Sequence, residues 1–287
     1  MRQMSRSRAF WLLTKPGITR MVLVTTAAGF YLAATTVDWL LLLHALFGTA
    51  LAAGGTNALN QWAERDADAR MRRTALRPLP SGRLRSGEAL LFSAGIAVAG
   101  LVYLLAFVNL TTVVVVAISL TSYVFVYTPL KRVTWTSTLI GAVPGALPIL
   151  AGWTATGRPI DLTAIVLFLI LFAWQMPHFF ALAWMFREDY ARAGFRMLTV
   201  VDPTGKRAAW QGVTYTLVLL ALSLLLVPIQ AASSFYLAGA ALLGSLFLAL
   251  GVMQLWTRSD QHARRLFLGS VFYLPMLLVL LVVDKAV

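Results

Sequence analysis

The sequence of 287 residues contains no cysteine, which excludes disulfides, thiolate metal sites and a cysteine nucleophile. Histidine is scarce, with three residues, and only 12% of the chain is charged, against about 25% in soluble domains. So little charge in a chain that is 59% hydrophobic excludes an ordinary soluble fold. Acidic residues are few as well, 11 against 24 Lys and Arg, for a net charge of +13. On a soluble face that excess would suggest nucleic acid. Here the basic residues fall in loops between apolar runs, so no nucleic-acid partner is expected and the charges report orientation. The basic start MRQMSRSRAFWLLTKPG lacks a long apolar core and a small-residue cleavage site. It reads as a retained cytoplasmic arm, residues 1–17, rather than a signal peptide.

What the chain does have is nine apolar segments, at about 18–36, 39–59, 89–107, 110–129, 136–154, 163–185, 210–229, 234–256 and 266–284. A helical span takes roughly 17–25 residues, whereas a barrel strand takes about ten alternating ones. The expected fold is therefore all-α, a polytopic bundle of nine transmembrane helices in one domain, residues 1–287. Of the 24 basic residues, 22 lie in alternate loops, and only Arg158 and Lys285 fall on the other side. The positive-inside rule then places the N-terminus in the cytoplasm and the C-terminus across the cell (inner) membrane. Two loops on the basic side are long, about 60–88 and 186–209, and each follows a segment ending in polar residues. Chemistry is expected at that mouth.

The first of these loops is the most hydrophilic stretch, TNALNQWAERDADARMRRTALRPLPSGRL, Thr56 to Leu84. On a helix, Asn57, Asn60 or Gln61, Glu64 and Asp68 recur every three or four residues and share one face. Carboxylates and amides on one face are hard oxygen donors suited to Mg²⁺, which binds one or two carboxylates together with substrate phosphates. Asn60 or Gln61, Glu64 and Asp68 are the candidate metal ligands on that face. Arg72, Arg73 and Arg77 follow, with planar forks that match phosphate oxygens. Together these residues read as a diphosphate clamp. The plainer reading is an interfacial helix with local pairs such as Glu64 or Asp68 with Arg72, worth about 0.2–0.5 kcal/mol each. Polar groups such as Asn57 and Asn60 at membrane depth favour the functional reading.

A second constellation is the run Trp174 to Phe180, TrpGlnMetProHisPhePhe, in the sixth segment. His178 beside Pro177 and several aromatics is open to three readings: a haem-iron ligand, a proton donor or acceptor, or a satisfied core histidine. Lys131 and Arg132, next to Tyr123 and Tyr127, can hold a phosphate or a propionate, or merely set topology. Gly141, Pro144, Gly145, Pro148 and Gly152 in the fifth segment suggest close packing, a kink or a cavity.

Taken together, NQWAERDADARMRRTALRPLPSG, the ProHisPhexAlaLeuAla motif and GluAspTyrAlaArgAlaGlyxxMetLeu resemble the intramembrane (UbiA-type) prenyltransferases, and within them the protohaem IX farnesyltransferase branch. The resemblance spans essentially the whole chain. It implies the UbiA-type fold and transfer of the farnesyl group of farnesyl diphosphate to a vinyl group of haem B, giving haem O and diphosphate. Haem B is thus a substrate, Mg²⁺ the cofactor, the lipid bilayer the setting, and a haem A synthase or terminal-oxidase assembly factor a possible protein partner. The resemblance also implies catalytic roles for Asn57, Asn60, Glu64, Asp68 and His178, and a haem-pocket role for His178. Substrate binding falls to Arg73, Arg77, Lys131 and Arg132. Gln61 and Glu64 stand where the wider superfamily has Asp, and its second aspartate motif is replaced by the Pro177–His178 region, with Glu188 and Asp189 beyond. The alternatives are prenylation of an aromatic quinone or chlorophyll precursor and, outside the enzymes, a small-solute transporter.

Overall fold

The computed structural model describes residues 5–286, and among them the chain is helical with no strand. A short helix, α1 (Arg6–Leu13), precedes α2 (Pro16–Ala33), α3 (Trp39–Asp68), α4 (Ser86–Phe107), α5 (Leu110–Leu130), α6 (Ser137–Ala155) and α7 (Leu162–Met185). The short α8 (Arg187–Ala193) and α9 (Leu198–Val201) follow, then α10 (Lys206–Leu225), α11 (Ser234–Thr257) and α12 (Asp260–Ala286). Each expected segment is thus a helix. Eight are long and apolar enough to cross a membrane, which makes the chain a multi-pass integral membrane protein. The exception is α2, whose 18 residues are diluted by Pro16, Arg20 and the threonines 19, 25 and 26.

Tight connections at one end of the bundle have a local cause. Asp38, Asn109 and Asp161 each accept a hydrogen bond from a first-turn N–H of the helix they precede, at 3.0, 2.8 and 3.0 Å. At the other end α3 runs on for nine residues past its expected apolar limit at position 59, and the segments 69–85 and 186–205 fold over the bundle there.

The most enclosed span is α6. It crosses α2 at backbone contact: a Cβ on Gly152 would lie 1.9 Å from the Thr26 carbonyl oxygen, and one on Gly29 2.0 Å from that of Ile149. Small residues at a helix crossing allow this approach, and dispersion then holds the helices together in lipid. The proline of a helix leaves the carbonyl four residues earlier without its donor. For Pro148 that carbonyl belongs to Pro144, and the Ser119 hydroxyl of α5 donates to it at 3.0 Å. The π-helical turn Ser122–Tyr127 interrupts α5 one level further along.

The atom facing Gly152 belongs to backbone, so no side-chain rotation can relieve a substitution there. Gly152→Ala is expected to cost roughly 1–3 kcal/mol, read as a lowered thermal midpoint in detergent. Gly95→Ala, whose Cβ meets nothing within 4 Å, should leave the midpoint unchanged.

Candidate active site

The polar face of α3 is buried, and each of its residues meets a partner from another segment. Asn57 donates to the Thr19 hydroxyl of α2 at 3.3 Å. The Asn60 carbonyl accepts from Lys15 Nζ at 2.6 Å, and its amide donates to the Thr128 hydroxyl of α5 at 3.0 Å. Glu64 pairs with Lys131 at 2.6 Å and Asp68 with Arg77 at 2.7 Å. The carboxylates are therefore neutralised by Lys131, 67 positions from Glu64, and by Arg77, nine positions from Asp68, and not by Arg72. Asn57, Asn60, Glu64 and Asp68 share one face as their spacing requires, and Arg77 and Lys131 join them there. Gln61 departs from that set. Its amide donates to the Leu12 and Leu13 carbonyls at 3.1 and 2.8 Å, capping the open end of α1.

Lys15 was not singled out by its position in a basic arm, yet it enters the site from the corner between α1 and α2. Its backbone is left-handed, φ 48°, immediately before Pro16, a conformation costing about 1–3 kcal/mol. Burial, reinforced by the Arg77 guanidinium, pushes its ammonium down to about 7. Burial acts on Lys131 in the same direction, but the Glu64 carboxylate outweighs it and raises that pKa instead. The Lys131 ammonium also sits 4.3 Å from the Tyr127 ring centre. Adjacent Arg132 is exposed and outside the cluster.

Segment 69–85 is held down by contacts that sequence reasoning missed. The Arg72 N–H donates to the Asp189 carboxylate of α8 at 3.2 Å, and the same oxygen accepts from Arg192. Burial works against ionisation of Asp189, but Arg192 and the Arg72 and Arg73 N–H groups keep its pKa below the usual carboxylate value. Arg73 is exposed, with its guanidinium stacked over Phe186 and Tyr190 at 4.9 and 5.8 Å. The Arg196 N–H donates to the Lys131 carbonyl at 2.7 Å, tying the second long loop to the first site cation. A carboxylate in the second loop therefore anchors the arginine segment. Only the alternation of acid and base in GluAspTyrAlaArg hinted at such a use.

An apolar cavity of about 110 Å³ opens beneath the cluster, between α2, α3, α5 and α6. Asn57 and Tyr123 line it together with Val22, Val116, Leu147 and Pro148. Its floor includes Gly145, where a Cβ would lie 2.0 Å from the Gln175 amide oxygen. A polar, cation-rich head above an apolar chamber suits an anionic group on a hydrocarbon chain.

The donors also suit a hard divalent cation. Asp68 Oδ1 is buried without a hydrogen-bond partner, and Asn60 and Glu64 offer further oxygens on the same face. No group of three or more His, Asp and Glu able to hold a metal occurs among the described residues, so phosphate oxygens would have to complete the shell. His178 stands elsewhere. It faces α12, with Nδ1 2.8 Å from the Ser270 hydroxyl and its ring 4.8 Å from Phe267 and 5.2 Å from Trp174. None of these neighbours belongs to the cluster or lines its cavity. The Ser270 hydroxyl also lies 2.5 Å from the Phe267 carbonyl, so it bridges the His178 ring and the α12 backbone.

Comparison with known proteins agrees with this geometry. The UbiA prenyltransferase family profile matches residues 22–278. Protoheme IX farnesyltransferase from Solibacter usitatus is 45% identical over 283 residues, covering 95% of this chain and 97% of that protein. Its namesake from Salinibacter ruber is 42% identical, covering 96% and 98%. Among solved structures, one concerned with digeranylgeranylglyceryl phosphate synthase in membranes superposes with a TM-score of 0.82 at 19% identity, covering 98% of this chain and 99% of that one. A UbiA homolog from Archaeoglobus fulgidus bound to GPP and Mg²⁺ gives a TM-score of 0.67 at 14% identity, covering 95% and 99%.

In the folded, ligand-free protein Lys15 releases its proton near pH 7, whereas in the unfolded chain it does so at about 10.4. Between those values the unfolded chain binds more protons, so this group makes stability rise with pH over that window. Thermal midpoints across the window should show the rise in the wild type and a flatter profile in Lys15→Met. Asp189→Ala removes charge-assisted bonds to the Arg70–Arg73 turn, each worth about 1.5–3 kcal/mol. Limited trypsin digestion is expected to cut segment 69–85 at least about tenfold faster in that variant, with the helical bundle intact by circular dichroism.

Proposed function

The chain belongs to the UbiA prenyltransferase family, and on that premise we propose that it transfers the farnesyl group of farnesyl diphosphate to a vinyl group of haem B. The observation that carries this reading is identity of 38–45% to chains named protoheme IX farnesyltransferase, over most of the length of both. The site supplies what the reaction needs. Diphosphate lies against the cations at the mouth, and the farnesyl chain fills the apolar cavity between α2, α3, α5 and α6.

Asn60, Glu64 and Asp68 would hold Mg²⁺, a metal that accompanies GPP and DMAPP in solved UbiA homologs. When bound, it neutralises diphosphate charge and stabilises the diphosphate as a leaving group. Arg77 and Lys131 begin paired with Asp68 and Glu64, so the arriving diphosphate takes over cations that are already in place. Lys15, close to half-ionised at neutral pH, adds charge to the same head as the anion draws its pKa upward. Asn57 orients the boundary between head and chain. Arg73 screens the entrance from its stack on Phe186 and Tyr190.

As the C1–O bond breaks, the apolar walls keep bulk water from the allylic cation while the vinyl group attacks. Water then adds to the resulting cation on the acceptor and releases a proton. His178 serves the haem side as a ligand or as acceptor of that proton. The charged end, with segments 69–85 and 186–205, faces the cytoplasm of the cell membrane, where 22 of 24 basic residues collect. Haem O then passes to a haem A synthase or terminal-oxidase assembly factor.

The decisive assay incubates purified protein with haem B, Mg²⁺ and labelled farnesyl diphosphate and reads haem by mass spectrometry. Label on added 4-hydroxybenzoate with none on haem would overturn the reading. Asp68→Ala and Arg77→Ala are each expected to lower turnover by about 10²–10³ while the bundle still folds, and a fully active variant removes that residue from the clamp. His178→Ala should lose haem binding or turnover and keep affinity for the prenyl diphosphate. Equal weakening of both would make His178 a core residue.

A further inference from the structure

We propose that the end of the bundle opposite the charged loops carries a binding pocket for the phosphodiester headgroup of an anionic lipid. A cavity of about 280 Å³ lies there between α2, α7 and α12 and the ends of α6 and α10. Arg158 and Lys285, the two basic residues of 24 that escape the charged end, both line it.

Each cation is fixed in place. Lys285 donates to the Tyr31, Leu32 and Ala34 carbonyls at the open C-terminus of α2, the Leu32 bond measuring 3.2 Å. Arg158 rests 5.0 Å above the buried Trp153 ring and donates to the Ala33 carbonyl and the Asp161 carboxylate, both at 3.1 Å. Two of the five guanidinium N–H groups are thereby committed and three remain for an anion.

The nearby carboxylates do not line the cavity. Asp161 caps α7, and Asp284 accepts from the Ser233 and Tyr236 N–H groups at 2.7 and 3.2 Å, at the start of α11. An anion there meets the Lys285 charge and the free N–H groups of Arg158, whose Asp161 partner sits outside the lining with its other oxygen on the first turn of α7.

The remaining lining separates a headgroup from a chain. Gln230 and Thr163 join the cations at the mouth, level with the ends of α2, α6 and α10, while Leu167 and Leu281 continue down into the spans. That gradient fits a lipid rather than a free ion, and the cation pair disfavours a headgroup bearing its own ammonium.

Native mass spectrometry of the full chain, released from detergent after addition of phosphatidylglycerol, phosphatidylcholine or inorganic phosphate, tests this. One retained phosphatidylglycerol per chain is expected, with phosphatidylcholine roughly tenfold weaker. Arg158→Gln should lower phosphatidylglycerol retention about tenfold. Ala231→Phe, which fills the cavity while leaving both cations in the sequence, should do the same. Arg265→Gln at the charged end should not. Retention at the wild-type level in either pocket variant, or equal retention of the two lipids, overturns the pocket. Retention of inorganic phosphate alone, lost in Ala231→Phe, overturns the lipid as its occupant.

Discussion

Two carboxylates buried near the end of a membrane-spanning helix require compensating charge, and the arrangement of the charged end follows from that requirement. An ion pair broken at one partner in such a setting costs about 3–5 kcal/mol, because the other charge is left stranded. Glu64 and Asp68 are therefore met by Lys131 and Arg77, from two different segments. Drawing Lys131 inward brings the end of α5 against α3, and drawing Arg77 inward folds segment 69–85 back over the helix from which it came. Asp189 then secures that fold from α8. The same pairs leave the site ready for a phosphate-bearing ligand, since its cations already stand in the mouth.

Beneath this head, packing is governed by backbone rather than by side chains. The contacts at Gly29 and Gly152 bring α2 and α6 together without the area that large residues would provide. Prolines 144 and 148 line the cavity between α6, α2, α3 and α5, and Ser119 satisfies the carbonyl freed by Pro148. A chamber so built is mainly apolar and close to the polar cluster, which suits a cation-forming reaction in a membrane.

The polar cluster and His178 are separated within the bundle. The clamp and chamber belong to α2, α3, α5 and α6, whereas His178 belongs to the α7–α12 face. Asp189 shows how a chemically suggestive residue can be diverted: a carboxylate that sequence leaves beyond the second motif is used to grip backbone N–H groups of the arginine segment. Its neighbours Phe186 and Tyr190 carry Arg73 by cation–π contact, a use that no spacing rule signals.

The sequence alone determined the helical bundle, because twenty-residue apolar runs admit no other way to satisfy backbone polar groups in lipid. It also determined the shared face of Asn57, Asn60, Glu64 and Asp68, since helical periodicity aligns those positions wherever the helix is placed. Family membership was legible too, in motifs whose chemistry and order travel together. Partner choice was not. That Lys131 and Arg77 meet the carboxylates, that Lys15 enters from the N-terminal arm while Arg132 stays outside, and that Gln61 caps α1 are decided by packing between segments up to 67 positions apart. The tertiary structure alone decided these, because burial selects among several equivalent cations the ones whose backbone can deliver them to a buried acceptor.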